Sequence, residues 1–180
     1  MKKIFVAAAV SSVLLFSCKD KKQEPEVVTI DNSPDAPAEV YKVEKNQAEF
    51  NSPEVAMAFE HYLLVQEALI NTDSHLTSDY AEKLKESAKD IDGNSGLLAA
   101  TTAIIEAGDV EEQRIHFEEL TDEMEKIVKT SLKSGTIYKQ YCPMAFDDKG
   151  AYWLSSSKDI LNPYFGDKML KCGSVRGEIN

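Results

Sequence analysis

Residues 109–135 read DVEEQRIHFEELTDEMEKIVKTSLKSG and have the clearest helical pattern in the chain. Asp109 and Glu112 have the form of a capping box, in which two side chains bind free backbone N–H groups at the start of a helix. Apolar residues then recur at spacings of three and four, as on one face of a helix. They are Val110, Phe117, Leu120, Met124 and Ile127. We therefore predict a helix here, with Gly135 as its C-terminal cap.

Similar signals predict three helices upstream of this one. Ser52-Pro53-Glu54 supplies an N-cap, a proline at the first helical position and an acid in the first turn. The apolar pattern predicts helices over residues 53–71, 76–91 and 97–107. Short loops favour antiparallel neighbours, so we predict an all-α fold, an up-and-down four-helix bundle.

The helical period stops after Gly135. We expect residues 136–180 to form an irregular, aromatic-rich tail, broken into turns by proline and glycine. Residues 136–141 alternate like a short strand, but no partner strand is evident. Several aromatic side chains predict that the tail packs on the bundle; they include Tyr141, Trp153, Tyr164 and Phe165.

The N-terminal residues predict export. Residues 1–17 combine two lysines with a short apolar run, which is typical of a signal peptide. Leu-Phe-Ser before Cys18 resembles a bacterial lipobox, so we expect an acyl lipid on Cys18 as the membrane anchor. Lys19 favours the outer membrane, with the domain facing the periplasm or the surface. Residues 18–51 are polar and rich in proline, which predicts a disordered tether before a domain at 52–180.

The formal net charge of −11 argues against a nucleic-acid partner. The chain also lacks a glycine-rich phosphate loop, a Gly-x-Ser-x-Gly elbow and a Cys-x-x-Cys pair. We therefore expect neither an enzyme nor a small-molecule substrate.

Two pairs of sulfur residues stand in the tail, Cys142-x-Met144 and Met169-x-x-Cys172. With Cys18 lipidated, Cys142 and Cys172 are the remaining thiols in an oxidising compartment, where a disulfide is a natural outcome. Thiolates and thioethers are also the donors that select a soft cation such as Cu(I). If the cysteines form a disulfide, the two methionines only fill apolar space in the packed tail. If a metal binds, all four sulfur atoms are ligands. Both interpretations stay open.

The tail motifs resemble a bacterial family of unknown function, DUF3347. They are Tyr141-Cys142-Pro143-Met144-Ala145, Tyr152-Trp153-Leu154-Ser155 and NPYFGDKMLKCG at residues 162–173, with Glu112-Gln113-Arg114, Phe117 and Leu120 upstream. The resemblance runs over roughly 55–175. It implies a lipoprotein of the periplasm or outer membrane, and an association with adaptor subunits of heavy-metal efflux pumps. It implies copper handling and no catalytic activity.

The resemblance favours a soft-metal protein that buffers Cu(I) or delivers it to an efflux system. Its expected ligands are Cys142, Met144, Met169 and Cys172. The aromatic tail residues Tyr141, Trp153, Tyr164 and Phe165 would shield the site, and Arg114 would pair with an acid or with tail carbonyls. The alternative is a non-catalytic interaction module in which Cys142 and Cys172 form a structural disulfide and no metal binds.

Overall fold

The computed structural model describes residues 39–180. Its four long helices are α1 (Pro53–Ile70), α2 (Ser74–Ser87), α3 (Ser95–Glu106) and α4 (Val110–Ser131). Each packs against the next in the chain, and α4 returns to contact α1. The predicted signal peptide, the predicted lipidation site Cys18 and the tether residues before Glu39 lie outside the described residues.

Side-chain caps fix where these helices begin. Ser52 Oγ accepts the Val55 N–H at 3.2 Å before α1, and Asp109 accepts the Glu112 N–H at 2.9 Å before α4. Such caps satisfy backbone donors that have no partner within the helix. The start of α1 and that of α4 therefore follow from local sequence.

The prediction of an all-α fold is wrong. A three-stranded antiparallel sheet has the order β4-β3-β5, and a second, two-stranded sheet pairs β1 with β2. The strands are β1 (Glu49–Phe50), β2 (Leu132–Ser134), β3 (Ile137–Cys142), β4 (Ala151–Ser155) and β5 (Ser174–Ile179). The tail thus contains a three-stranded sheet, because β3 pairs on both sides with strands that lie later in the chain.

Gly135 does not cap a helix. The fourth helix ends at Ser131, and Gly135 lies between β2 and β3 with φ of +87°. A Cβ at this position would stand 2.8 Å from the Cα of Ala48, so glycine is required by the close approach of the N-terminal segment.

Residues 39–51, assigned to the tether from the sequence, lie on the helices. The Tyr41 N–H donates to Asn71 Oδ1 at 2.8 Å, and Asn71 Nδ2 donates back to the Tyr41 carbonyl at 2.9 Å. Glu67 accepts the Val43 N–H at 3.0 Å and the Lys42 ammonium at 2.7 Å. The folded unit therefore begins at Glu39 within the described residues.

Tyr62 joins the bundle to the sheet. Its buried hydroxyl accepts the Leu154 N–H of β4 at 3.0 Å and contacts the Thr121 hydroxyl of α4 at 2.8 Å. Burial raises the pKa of this hydroxyl far above its ordinary value. Aromatic rings continue the contact, since Phe117 lies 5.1 Å from Tyr62 and 6.0 Å from Tyr164 between ring centres. The tail is thereby packed into the bundle core.

Within residues 39–180, no helix is both long enough and apolar enough to cross a membrane.

Candidate functional site

Sheet pairing brings the two tail cysteines together. Cys142 is the last residue of β3, and Cys172 lies just before β5, whose Ser174 pairs with Tyr141. The two Sγ atoms are 2.9 Å apart, compared with about 2.05 Å in a disulfide. Both cysteines are free thiols in this structure.

The surroundings of Cys172 favour its protonated form. Burial, followed by the hydrogen bond and charge repulsion from Cys142, raises the pKa of the Cys172 thiol to about 11. A hydrogen bond from the Met144 backbone N–H acts in the opposite direction. A metal ion binding here must therefore displace protons.

Both methionines adjoin the thiol pair through their backbones. The Met144 N–H points at the Cys172 sulfur, and the Met169 carbonyl accepts the Cys172 N–H at 2.9 Å. Their side chains line one cleft of about 580 Å³ between α4 and the tail. The tail thus brings the other three sulfur residues next to Cys172, with the methionines in the lining of the cleft and the two cysteines outside that lining.

Asn162 holds Cys172 in this position. Its buried amide donates to the Cys172 carbonyl at 2.8 Å, and its Oδ1 accepts the Tyr164 N–H at 2.8 Å. Gly173 comes next, with φ of +150°, and a Cβ there would stand 2.8 Å from the Trp153 ring. The backbone at Cys172 and Gly173 is therefore held by the hydrogen bond from Asn162 and by close packing against Trp153.

Arg114 connects the tail to two helices. Its side chain is 2% exposed; Nε donates to the Pro163 carbonyl at 2.9 Å, and Nη2 donates to the Leu69 carbonyl at 3.1 Å. Nη2 also donates to the Thr72 hydroxyl at 3.1 Å, and Nη1 pairs with Glu111 at 2.8 Å. The guanidinium therefore contacts both an acid and a tail carbonyl, the two partners considered from the sequence.

The predicted aromatic residues divide into a buried and a peripheral set. Trp153 and Tyr164 are buried, and their rings meet edge to face with centres 6.1 Å apart. Tyr141 packs on Tyr152 at the sheet surface, at 4.5 Å, and Phe165 lines the cleft. The buried pair docks the tail on the bundle, whereas Phe165 lies next to the methionines.

One wall of the cleft is a turn of left-handed backbone. Phe146, Asp147 and Asp148 have φ of 51°, 56° and 64°, which is costly for residues other than glycine. The Gly150 N–H closes the turn on the Ala145 carbonyl at 2.9 Å. Strained backbone of this kind is concentrated at functional sites in proteins.

The helical part of the chain matches a known family profile. The profile is described as a protein of unknown function (DUF3347) and matches residues 58–135. This part of the chain is similar to the DUF3347 family. No curated protein and no solved structure matches the chain.

The DUF3347 match covers the helices and Arg114 but ends before the sulfur residues. It runs from within α1 to the turn after β2, so the sheet and the cleft wall at 145–148 lie beyond it. The case for a site in the tail therefore depends on tail geometry and donor chemistry.

Sequence reasoning missed Asn162, Ile115 and Phe146. Asn162 is the first residue of the NPYFGDKMLKCG motif. Asn-Pro is a turn signal, and it could have marked Asn162 as a residue that shapes the tail. Ile115 lies off the apolar stripe of α4, so an exposed isoleucine was a detectable signal there. Phe146 gave no signal, because its left-handed conformation is set by tertiary packing.

The donor set around the thiols is soft and small. No group of three or more His, Cys, Asp or Glu side chains suited to a metal occurs in residues 39–180. A structural zinc site normally uses four such ligands, and thioethers suit Cu(I) better. The residues present therefore fit a soft monovalent ion better than zinc or a hard divalent cation.

Proposed function

We propose that this domain binds Cu(I) through Cys142 and Cys172, with Met144 and Met169 as thioether donors, and buffers the ion or delivers it to an efflux system. The observation that supports the proposal is that Cys142, Met144 and Met169 all contact Cys172. The cysteines approach to 2.9 Å between Sγ atoms, and each methionine is joined to Cys172 by a backbone hydrogen bond. The proposed role is non-catalytic, with the ion as cargo.

The thiol pair requires a small adjustment to hold an ion. Sulfurs that each lie about 2.3 Å from one tetrahedral ion are about 3.8 Å apart, so the two Sγ atoms would separate by roughly 1 Å. Cys142 is buried, whereas Cys172 is half-buried and lies outside the strands, two residues before β5. Side-chain rotation at Cys172 supplies the movement without a change in β3.

We expect a stoichiometric, tight Cu(I) complex of the reduced protein, measured anaerobically by competition with a chromogenic chelator. The Cys142→Ser/Cys172→Ser variant should lose this binding. Met144→Leu/Met169→Leu should weaken it at least about ten-fold, on the scale of losing a supporting ligand contact. Because the Cys172 thiol has a raised pKa, the affinity should increase with pH over the neutral range.

Met57→Leu is the matched control, since Met57 is an exposed methionine of α1 outside the tail. It should leave Cu(I) affinity unchanged. Copper binding that survives in Cys142→Ser/Cys172→Ser would contradict the proposal. If the wild type and Met144→Leu/Met169→Leu bind Cu(I) with equal affinity, the thioethers are not ligands.

A second candidate is an interaction module in which Cys142 and Cys172 form a structural disulfide. The 2.9 Å Sγ separation is compatible with it, because closing the bond to about 2.05 Å moves the sulfurs by roughly 0.9 Å, about as much as inserting an ion between them. Free-thiol titration of protein isolated from its native compartment distinguishes the candidates. No free thiol supports the disulfide, and two thiols support the copper site.

The lipid anchor on Cys18, the outer-membrane location and an efflux-pump adaptor as partner remain predictions. Cys18 lies outside the described residues.

A further inference from the structure

We propose that the cleft between α4 and the tail is a docking site for a short apolar peptide segment, flanked by Lys or Arg, of a partner protein. It is lined mainly by Ile115, Met144, Phe146, Phe165 and Met169, with Asp147 and Asp148 at its edge. The docking does not need copper, because it uses the side chains on the cleft and not the thiols; two of these side chains, Met144 and Met169, are also the proposed thioether donors.

The apolar lining is open to solvent. Ile115 is 52% exposed and Met144 is 46% exposed, while Phe146, Phe165 and Met169 are partly buried. Scattered apolar residues on a surface need no explanation, but several around one cleft are typical of an interaction site. Methionine side chains are flexible and polarisable, so such a lining adapts to different apolar partners.

The walls of the cleft are fixed before any partner arrives. Arg114 ties Pro163 of the tail to the end of α1, and Phe146 packs edge to face on Tyr164 with ring centres 5.3 Å apart. The left-handed turn is closed by its own backbone hydrogen bond. A preformed site loses little conformational entropy on binding, which favours affinity.

The charges at the edge select a basic partner. Glu111 pairs with the buried Arg114 and lies 3.9 Å from the exposed Lys168, so these three groups together carry a formal charge of +1. Asp147 and Asp148 change the formal charge of the cleft lining to −1. Asp147 and Asp148 are exposed and form no ion pair with any residue in 39–180. Flanking Lys or Arg residues on the peptide complement these two carboxylates, and the net charge of −11 acts in the same sense.

The test uses a fluorescent peptide with a Leu-Met-Leu core flanked by lysines, followed by anisotropy. The protein is the full domain with Cys142→Ser/Cys172→Ser, free of copper, so that a failure of the copper proposal cannot affect the result. Ile115→Gln and Asp147→Asn/Asp148→Asn should each weaken binding at least about five-fold, as expected for contacts central to a small interface. Asparagine is chosen because it tolerates left-handed backbone.

Matched controls lie outside the lining of the cleft. Met57→Gln removes an exposed methionine of α1, and Asp79→Asn/Glu82→Gln removes two exposed acids of α2. Both should bind the peptide as the parent does, and a peptide whose core is replaced by serines should bind weakly. Equal losses in the control and cleft variants would show general charge attraction and overturn the proposal. Self-association that is abolished by Ile115→Gln would also overturn it, because a second copy would then be the occupant.

Discussion

Replacing Arg114 with methionine is expected to lower the free energy of unfolding by about 3–5 kcal/mol, the range for breaking a buried charged network. The guanidinium satisfies the Leu69 and Pro163 carbonyls in a region with little access to water. Methionine fills part of the volume and leaves both acceptors unpaired, at a cost of roughly 1–3 kcal/mol for each. Chemical denaturation followed by Trp153 fluorescence measures the change, since Trp153 is the single tryptophan and is buried.

Two control variants distinguish the contribution of the Arg114 hydrogen bonds to the free energy of unfolding from that of its positive charge. Glu111→Gln should cost well under 1 kcal/mol at a site 62% exposed, as for other surface pairs. Arg114→Lys keeps the charge but cannot reach all of the acceptors, so it should fall between the wild type and Arg114→Met. A loss below about 1 kcal/mol in Arg114→Met would contradict the role given to this residue.

Oxidation of the Cys142–Cys172 pair is expected to raise the free energy of unfolding by about 3–4 kcal/mol and to abolish Cu(I) binding. The estimate reflects the loop between residues 142 and 172, whose closure restricts the unfolded chain. Each thiol gives up one proton and one electron to an added disulfide oxidant, and the two sulfurs join. Since both thiolates are consumed, no soft anionic donor remains for the ion.

Denaturation of the same sample with and without reductant measures this difference. The Cys142→Ser/Cys172→Ser variant is the control and should not respond to the oxidant. Mass spectrometry should record the loss of two hydrogens in the oxidised protein. An oxidised protein that binds Cu(I) as tightly as the reduced one would show that the thiols are not ligands.

Local signals were sufficient for the helices. Ser52 and Asp109 predicted the starts of α1 and α4 because a cap is a contact within a few residues, and both caps occur. The strands depend on distant partners. Residues 136–141 alternate as a strand does, but β5 begins more than thirty residues later, so its pairing with β3 could not be predicted from local spacing. Gly135 was assigned to a helix end because the approach of Ala48 could not be foreseen.

The sequence was sufficient to single out the two cysteines by residue type, but not to predict that their sulfur atoms are in contact. Donor softness singled out Cys142 and Cys172, whereas their contact depends on the β3–β5 register and on Asn162. The cleft beside them could not be predicted, because its wall is a left-handed turn held by packing on Tyr164. Residues 39–51 looked like tether by composition, yet Glu67 and Asn71 bind their backbone.

X-ray absorption at the copper edge of the reduced, Cu(I)-loaded protein tests the central claim most directly. Copper held by Cys142 and Cys172 should show sulfur as its nearest neighbours, and the Met144→Leu/Met169→Leu variant should show fewer of them. The pre-loaded Cys142→Ser/Cys172→Ser variant should retain no bound copper to measure. Nearest neighbours that are nitrogen or oxygen would contradict the account, as would a copper spectrum unchanged when both cysteines are replaced.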